Sequence, residues 1–459
     1  MNTQDNFPNA TVREALREAR ALYVERNPES SERHRIACDV MPGGNTRSVL
    51  FHTPFPLTIA HGKGSHVEDV DGRQYVDLLG EFTAGLFGHS NARIRAAIIR
   101  ALDGGINLSG HNRLEADFAK EVCGRFPSLD LIRFTNSGTE ANLFSVATAC
   151  AHTGRKRILA FRGGYHGGLL SFGERQNPVN APFEVTLCDY NDGNAVEKLL
   201  AEAGDTFAAI IVEPMLGAGG CVPADVDFLR LLESEAGRYG IVLIFDEVMT
   251  SRLGPAGLQG EYGIAPDLTT LGKYVGGGMS FGAFGGKASL MSRFDPRKPE
   301  ATPHAGTFNN NILTMSAGLT AMTEIATPEA LRALNDRGDR LRNQLNRLCA
   351  DLDAALVFTG LGSLMTAHFT SGPVRNASDV QSSNQALREL FFFDMLERGF
   401  YMARRCMIAL SLEVSEAECQ RFAEAVEDFL RVRRPLLGAS GAGQSAGIQA
   451  NDGAATGKT

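Results

Sequence analysis

Two ionisable side chains near the middle of the sequence have neighbours that suit chemistry. Asp246 ends the apolar run 241–245, and Lys273 follows 27 residues later, in Leu271-Gly272-Lys273-Tyr274, just before a glycine-rich stretch. A buried carboxylate needs a partner, which could be a structural ion pair, a helix cap or a protonated ligand nitrogen. Burial lowers the pKa of a lysine, and such a lysine can form a Schiff base, although most lysines are surface charges.

A further candidate site is the tripeptide Ser137-Gly138-Thr139. It lies between the strand-like run 131–135 and a helix-like run that begins at Glu140. Backbone N–H groups, two hydroxyls and the positive end of a helix dipole would together bind an anion such as a phosphate. The same residues could instead only cap the helix. The tripeptide is not part of a nucleotide P-loop, and no G-x-G-x-x-G opens a helix here.

The elements that would position these residues alternate between strand-like and helix-like. The strand-like runs are 131–135, 157–161, 207–212 and 241–245. This alternation predicts an α/β fold with a parallel sheet and crossover helices. Ligands of such sheets bind outside the carboxyl ends of the strands, so the polar residues that follow the strands are expected to meet there.

The two ends of the chain differ from this alternating part. The sequence predicts a large domain over 81–328 and a smaller α+β domain over 329–437, to which the segment 1–80 also belongs. Residues 1–40 are predicted to form one amphipathic helix and a connection. Residues 438–459 are poor in bulky apolar side chains and are predicted to be a disordered tail.

The composition excludes several classes of protein. The chain has 459 residues, of which 43% are hydrophobic and 21% charged, with a net charge of −8, as in a globular protein without an overall attraction to nucleic acid or anionic membrane. No apolar run is long enough for a membrane helix, and the charged amino terminus does not resemble a signal peptide, so we expect a cytosolic protein. The eight cysteines form no C-x-x-C pair and are expected to be buried apolar residues. No metal site is predicted.

The order of the candidate segments resembles that of the fold-type I pyridoxal-phosphate enzymes, and more closely that of their class III (subgroup II) aminotransferases. The matching segments are NSGTEAN at 136–142, RGGYHG at 162–167, VEP at 212–214, FDEV at 245–248, LGK at 271–273 and GTFNNN at 306–311. MPGGNTRSVLFHTPFPL, INLSGHN and DEVMTSR are more similar to the aromatic β-amino acid (β-phenylalanine) aminotransferases than to the related glutamate-1-semialdehyde aminomutases. The resemblance implies a mostly parallel central sheet with helices on both faces, plus a smaller α+β domain.

The resemblance also implies that the cofactor is pyridoxal 5′-phosphate and assigns roles to single residues. Lys273 would form the Schiff base and carry the proton between the substrate carbon and the cofactor, and Asp246 would pair with the pyridine nitrogen. Thr307 would reach the phosphate of a neighbouring subunit, which implies a homodimer with shared active sites. The other implied contacts are Ser137, Gly138 and Thr139 at the phosphate, Tyr165 and Val248 on the two ring faces, His166 beside Tyr165, and Glu213 near the phenolic side.

Two arginines bear on the substrate. A strand here would place Arg47, Val49 and Phe51 on one face, and a guanidinium beside apolar surface suits a carboxylate on an aromatic body. The resemblance points to Arg405 as a second carboxylate-binding residue, although the adjacent Arg404 leaves the register open by one position. Either arginine could instead be a solvated or structural charge.

The predicted function is a pyridoxal-phosphate aminotransferase. It would move the amino group of a β-phenylalanine-like β-amino acid, by resemblance the S enantiomer, to 2-oxoglutarate or pyruvate by a ping-pong mechanism. The alternative is an isomerase, either an aminomutase or a racemase, that uses the same lysine and cofactor. The presence of both Lys273 and Asp246 argues against a non-catalytic binding protein, which would not need that lysine, and the missing dinucleotide fingerprint argues against a nicotinamide oxidoreductase.

Overall fold

The structure is a computed structural model that describes residues 11–173, 175 and 177–437. The helices are α1 (Val12–Arg26), α2 (Pro28–Cys38), α3 (Ala92–Asp103), α4 (Arg113–Arg125), α5 (Gly138–Thr153), α6 (Gly193–Ala203), α7 (Val226–Tyr239), α8 (Gly257–Tyr262), α9 (Ala288–Met291), α10 (Ile312–Thr320), α11 (Pro328–Asp351), α12 (Ala377–Ser382), α13 (Gln385–Glu397) and α14 (Glu416–Val432). The strands are β1 (Ile59–Lys63), β2 (His66–Asp69), β3 (Gln74–Asp77), β4 (Leu131–Thr135), β5 (Arg157–Phe161), β6 (Glu184–Cys188), β7 (Phe207–Val212), β8 (Met215–Leu216), β9 (Val222–Pro223), β10 (Val242–Asp246), β11 (Leu268–Gly272), β12 (Gly282–Gly286), β13 (Val357–Leu361), β14 (Leu364–His368), β15 (Phe400–Tyr401) and β16 (Met407–Ala409).

A seven-stranded sheet with the order β4-β12-β11-β10-β7-β5-β6 forms the centre of the fold. Strand β12 pairs antiparallel with both of its neighbours, whereas β11, β10, β7, β5 and β6 pair in parallel. The four strand-like runs of the sequence correspond to β4, β5, β7 and β10, with β10 shifted by one residue. The predicted fold class, an α/β fold with a mostly parallel central sheet, is confirmed.

Both faces of this sheet are covered by helices, and the pattern of the strands explains why. All six residues of β7 are buried, and successive side chains point to opposite faces. Ile210 and Val212 pack with side chains of α6 and α7, such as Val196 and Leu229. Ala209 and Ile211 belong to the core on the other face, which α5 covers. A strand buried on both faces therefore has a continuous apolar sequence.

Of two smaller sheets, one connects an early segment of the chain with a late one. One has the order β1-β2-β3-β15, in which β15 pairs parallel with β3, and the other has the order β13-β14-β16. Helix α1 packs against α13, and α11 packs against α14. The segment before residue 80 thus contacts the region after 329. The domain boundaries at 80/81 and 328/329 stay a prediction.

Three local predictions were wrong. The amino-terminal region forms two helices, since α1 ends at Arg26 and Pro28 begins α2, where its missing N–H costs nothing. Ser48–Leu50 form a 3₁₀ turn instead of a strand, because the N–H groups of Leu50 and Phe51 bond to carbonyls three residues earlier. Arg47 and Phe51 therefore do not share a strand face.

The expectation that all cysteines are buried was also wrong. Cys38 is exposed, and Cys123 and Cys150 are half-buried, while the other five are buried. The predicted tail, 438–459, lies outside the described residues. Among the helices of the described part of the chain, none combines the length and apolar character that crossing a membrane requires.

Candidate active site

Asp246 and Lys273 lie at the carboxyl ends of the neighbouring strands β10 and β11. Asp246 pairs in register with Thr270, and Lys273 follows β11 directly. A cavity of about 290 Å³ opens at this edge of the sheet. It is lined by Asn136, Ser137, Gly138, Thr139, Asn142, Tyr165, His166, Gly167, Glu213, Asp246, Val248, Met249, Lys273, Met279, Ser280 and Phe281. The topology therefore brings most of the predicted cofactor residues together.

The Asp246 carboxylate is 3% exposed and is held by hydrogen bonds. Its Oδ2 accepts a hydrogen bond from Asn142 Nδ2 at 2.8 Å. The same oxygen lies 2.8 Å from His166 Nδ1. Its Oδ1 accepts from the backbone N–H of Val248, at 3.0 Å. Because a carboxylate only accepts, a neutral His166 in this geometry carries its proton on Nδ1. His166 thus lies behind the carboxylate as well as beside Tyr165.

Lys273 has an unusual setting for a lysine. Its backbone φ is +54°, in the left-handed region that few residues with a side chain adopt. Burial lowers its pKa to about 8, although the nearby charge of Asp246 opposes this effect in part and that of Arg405 adds to it. Within the described residues, its ammonium makes no hydrogen bond or ion pair. An amine with a lowered pKa that is only half-buried is suited to nucleophilic attack on a carbonyl carbon.

Ser137-Gly138-Thr139 forms the amino terminus of α5, as the sequence predicts. Ser137 is the N-cap, and its Oγ accepts from the Glu140 N–H at 3.2 Å, so the capping interpretation is correct. The tripeptide also lines the cavity at the amino end of a 16-residue helix, where a phosphate is favoured. A Cβ added to Gly138 would lie 2.9 Å from Val248, so these two residues are in close contact.

Glu213 is buried beside the same cavity. Its Oε1 accepts from the N–H of Tyr165 at 2.9 Å, and its Oε2 accepts from the N–H of Gly217 at 3.0 Å. Burial raises the pKa of this carboxyl to about 7, while His166 lowers it and Asp246 raises it further. Glu213 therefore fixes the loop that carries Tyr165, whose side chain is 46% exposed.

Thr307 is not among the residues that line this cavity. It is exposed and lines a separate groove of about 580 Å³ together with Phe308 and the segment 106–112. Within one chain the structure does not bring Thr307 to Lys273. A contact with the phosphate of a second subunit stays a prediction.

The two predicted arginines flank one aromatic ring. The guanidinium carbon of Arg405 lies 5.1 Å from the centroid of Phe82, and that of Arg47 lies 5.8 Å from it. Arg405 is directed inward, its Nε is buried without a hydrogen-bonding partner, and burial lowers its pKa. Arg404 is exposed and pairs with Glu389 at 3.4 Å. The geometry thus favours Arg405 over Arg404 as the residue directed inward.

Three residues at the site were not identified from the sequence. Asn142 links Asp246 to the sheet, since its Oδ1 accepts from Thr270 Oγ1 at 2.7 Å. The Phe82 ring is near both arginines, and Glu81 forms an ion pair with Arg47. Asn142 lies within the NSGTEAN segment, in the second turn of α5, so its spacing from Ser137 was an available signal. No pattern in the sequence marks Glu81 or Phe82.

Comparisons with known proteins give a consistent result. The family model described as aminotransferase class-III matches residues 51–430. The chain is 48% identical to a β-phenylalanine transaminase of Variovorax paradoxus, covering 94% of this chain and 99% of that protein. It is 35% identical to a glutamate-1-semialdehyde 2,1-aminomutase of Desulfatibacillum aliphaticivorans, covering 88% and 99%.

Solved structures agree with these matches. A β-phenylalanine aminotransferase from Variovorax paradoxus superposes with a TM-score of 0.92 at 48% identity, covering 93% of this chain and 99% of that one. An ω-transaminase from Sphaerobacter thermophilus gives a TM-score of 0.84 at 34% identity, covering 90% and 99%.

Proposed function

The chain belongs to the class-III aminotransferases, which are pyridoxal-phosphate-dependent transaminases, and we propose on this basis that its amino donor is a β-amino acid. The donor is β-phenylalanine-like, of the S configuration, and the acceptor is 2-oxoglutarate or pyruvate in a ping-pong cycle. The observation that carries this proposal is the 48% identity to a β-phenylalanine transaminase over nearly the whole of both chains.

The residues at the cavity suit pyridoxal phosphate. Gly138 and Gly167 leave no room for side chains, since an added Cβ would lie 2.9 Å from Val248 and 2.2 Å from Thr139, respectively. The amino end of α5 suits the phosphate, with Ser137, Gly138 and Thr139 as its ligands. Tyr165 and Val248 would lie against the ring, and His166 and Glu213 would complete its surroundings.

The bound cofactor supplies an aldehyde carbon and a ring that accepts electrons while its nitrogen is protonated. In our proposal Asp246 keeps that nitrogen protonated, because a nearby carboxylate favours the charged form of a base. Asn142 and His166 hold this carboxylate in place. Lys273 would hold the cofactor through its aldehyde carbon, and its free amine would carry the proton between the substrate carbon and the cofactor, as general base and then general acid.

Arg47 and Arg405 are proposed to bind the carboxylates of donor and acceptor. Guanidinium groups form bidentate pairs with carboxylates, and a β-amino acid and a dicarboxylic keto acid both carry one. Since both groups lie near the ring of Phe82, an aromatic donor would meet apolar surface beside them. Thr307 and its groove are proposed to contact a second copy of the chain, so that the active unit is a homodimer.

The experiment that tests this proposal is a half-reaction without acceptor. The purified holoenzyme is mixed with (S)-β-phenylalanine, and the absorbance of the bound aldehyde form and the products are followed. We expect about one equivalent of β-keto acid, or of the ketone left by its decarboxylation, with full conversion to the amine form. Adding 2-oxoglutarate or pyruvate should restore the aldehyde form.

Controls make this experiment specific. The R enantiomer, α-phenylalanine and 1-phenylethylamine should convert more slowly. Lys273→Ala should keep its fold and lose turnover by several decades, since both imine exchange and proton transfer need the amine. If the amino compound were isomerised and the aldehyde form returned with no keto product, the chain would be an isomerase and our proposal would be wrong.

A further inference from the structure

The segment Gly80–Thr83 next to the arginines has a strained backbone. Its four residues have positive φ values of 53°, 48°, 50° and 82° in order. Three of them carry side chains, for which this region is unfavourable. A Cβ added to Gly80 would lie 2.6 Å from the carbonyl oxygen of Ala409, so the segment is pressed against β16. We call it the Gly80–Thr83 turn.

The strain is maintained by a buried carboxylate. Asp77 Oδ1 accepts from the N–H groups of Leu79 and Gly80, at 2.9 and 3.0 Å. Its Oδ2 lies 3.0 Å from His89 Nε2, and this contact raises the pKa of His89. Backbone strain that the surrounding structure maintains is typical of functional positions.

The Gly80–Thr83 turn presents two side chains to the arginines. The Phe82 ring lies near the guanidinium carbons of both Arg47 and Arg405, which are 5.8 and 5.1 Å from its centroid. The Glu81 carboxylate pairs with Arg47, and the side chains of the two residues are 54% and 45% exposed. The guanidinium proposed to bind a substrate carboxylate is therefore already paired with a carboxylate of the protein.

We propose that Glu81 is a specificity-determining residue that competes with the substrate carboxylate for Arg47. This inference rests on the proposed role of Arg47 as a carboxylate-binding residue. A substrate with a carboxylate has to displace Glu81, whereas an amine without one binds while the pair stays intact. Because exposed ion pairs are weak, displacing Glu81 from Arg47 costs little free energy, and the unpaired Glu81 carboxylate is then hydrated by solvent.

The test is Glu81→Gln in the holoenzyme, which removes the charge and keeps the size. We expect the KM for (S)-β-phenylalanine to fall about two- to fivefold, the effect of a weak ion pair, with kcat little changed. The KM for 1-phenylethylamine, which lacks the carboxylate, should stay the same. Glu427→Gln is the control, because it removes an equal charge from an exposed pair with Arg431 in α14.

A second variant and a binding measurement keep the test independent of folding and turnover. Glu81→Gly also removes the carboxylate and suits the positive φ of this position. The dissociation constant of 3-phenylpropanoate, a carboxylate without an amino group, should fall in both variants. An unchanged or raised dissociation constant in a folded variant would overturn the proposal, since it would mean that Glu81 only orients Arg47 or does not affect it.

Arg47→Met separates this inference from the proposed function. If Arg47→Met weakens 3-phenylpropanoate binding and Glu81→Gln does not strengthen it, only the competition by Glu81 is wrong. If Arg47→Met leaves binding unchanged, the proposed carboxylate site is wrong, and the competition falls with it.

Discussion

Lys273 is half-buried and has no hydrogen-bonding partner among the described residues. Loss of hydration disfavours its ammonium form. The negative charge of Asp246 stabilises that form only in part, so the pKa of Lys273 is lowered to about 8. The sequence predicted this from a lysine between apolar residues and glycines. It could not predict the positive φ of Lys273, which depends on how β11 ends against the following 3₁₀ turn.

This pKa leads to a prediction for the apoprotein. Only the neutral amine attacks an aldehyde, so the rate constant for recombination with pyridoxal phosphate should rise about tenfold from pH 7 to pH 9 and level off above the pKa of about 8. Mixing apoprotein with excess pyridoxal phosphate and following the absorbance measures this rate. Butylamine is the reference, whose rate should continue to rise. A continued tenfold increase per pH unit through pH 9 would contradict the lowered pKa.

Burial and charge at other single positions were less predictable. Asp246 was identified because it ends an apolar strand, and such a carboxylate is buried with partners. Its partners Asn142 and His166 come from two other segments, and only the fold shows that they converge on one oxygen. The exposure of Cys38 was missed because residue type alone does not show that its helix has one open side.

At the scale of elements, the amino terminus of α5 packs closely against the loop after β5. Gly167 has φ +107°, and a Cβ there would lie 2.2 Å from Thr139 Oγ1 and 2.7 Å from its Cα. Gly168, the next residue, would meet nothing within 4 Å. The first turn of α5 and the loop after β5 are therefore packed too closely for a methyl group at position 167, whereas position 168 has room for one.

Gly167→Ala should weaken binding of pyridoxal phosphate, because the added methyl group displaces the first turn of α5, where the phosphate is proposed to bind. Overpacking costs about 1–3 kcal/mol, so the dissociation constant should rise about five- to a hundredfold. Titration of apoprotein with the cofactor measures it. Gly168→Ala is the matched control and should bind as the wild type does. Equal affinities in both variants would argue against this location of the phosphate.

Elements with a strong period were predicted well, and irregular segments were not. Strands β4, β5, β7 and β10 are apolar runs that end in polar residues, and these features depend on the local sequence. The segment 47–51 was predicted to be a strand but contains a 3₁₀ turn, in which the N–H groups of Leu50 and Phe51 bond to carbonyls three residues earlier. The Gly80–Thr83 turn is held by Asp77 and β16, which are contacts that no local pattern encodes.

At the scale of the whole molecule, an exposed apolar surface marks where a second copy is proposed to bind. Ile106, Leu108 and Phe308 are 47%, 49% and 57% exposed, and they line the same groove as Thr307. Large exposed apolar patches are typical of interfaces between proteins. The residues that line this groove differ from those that line the cavity around Lys273, and a second copy bound at the groove is proposed to bring Thr307 to the cavity of its neighbour.

Phe308→Asp should therefore dissociate the proposed dimer, because a charge would replace the most exposed of these three side chains. Sedimentation velocity at several protein concentrations measures the change in mass, and the activity should fall with it. Val432→Asp, at an exposed apolar residue in the last turn of α14, is the control and should remain dimeric. A wild-type protein that sediments as a monomer would contradict the proposal directly.

The order of the central sheet has a consequence for how the protein is made. Strand β4 ends at residue 135 and pairs with β12, which begins at residue 282, so the tripeptide after β4 and the lysine after β11 meet only late in synthesis. Pairing of strands so distant in sequence is slow, because a long loop has to close first. A ribosome-bound chain that ends before β12 should therefore not bind pyridoxal phosphate, which should bind only after the seven-stranded sheet is complete.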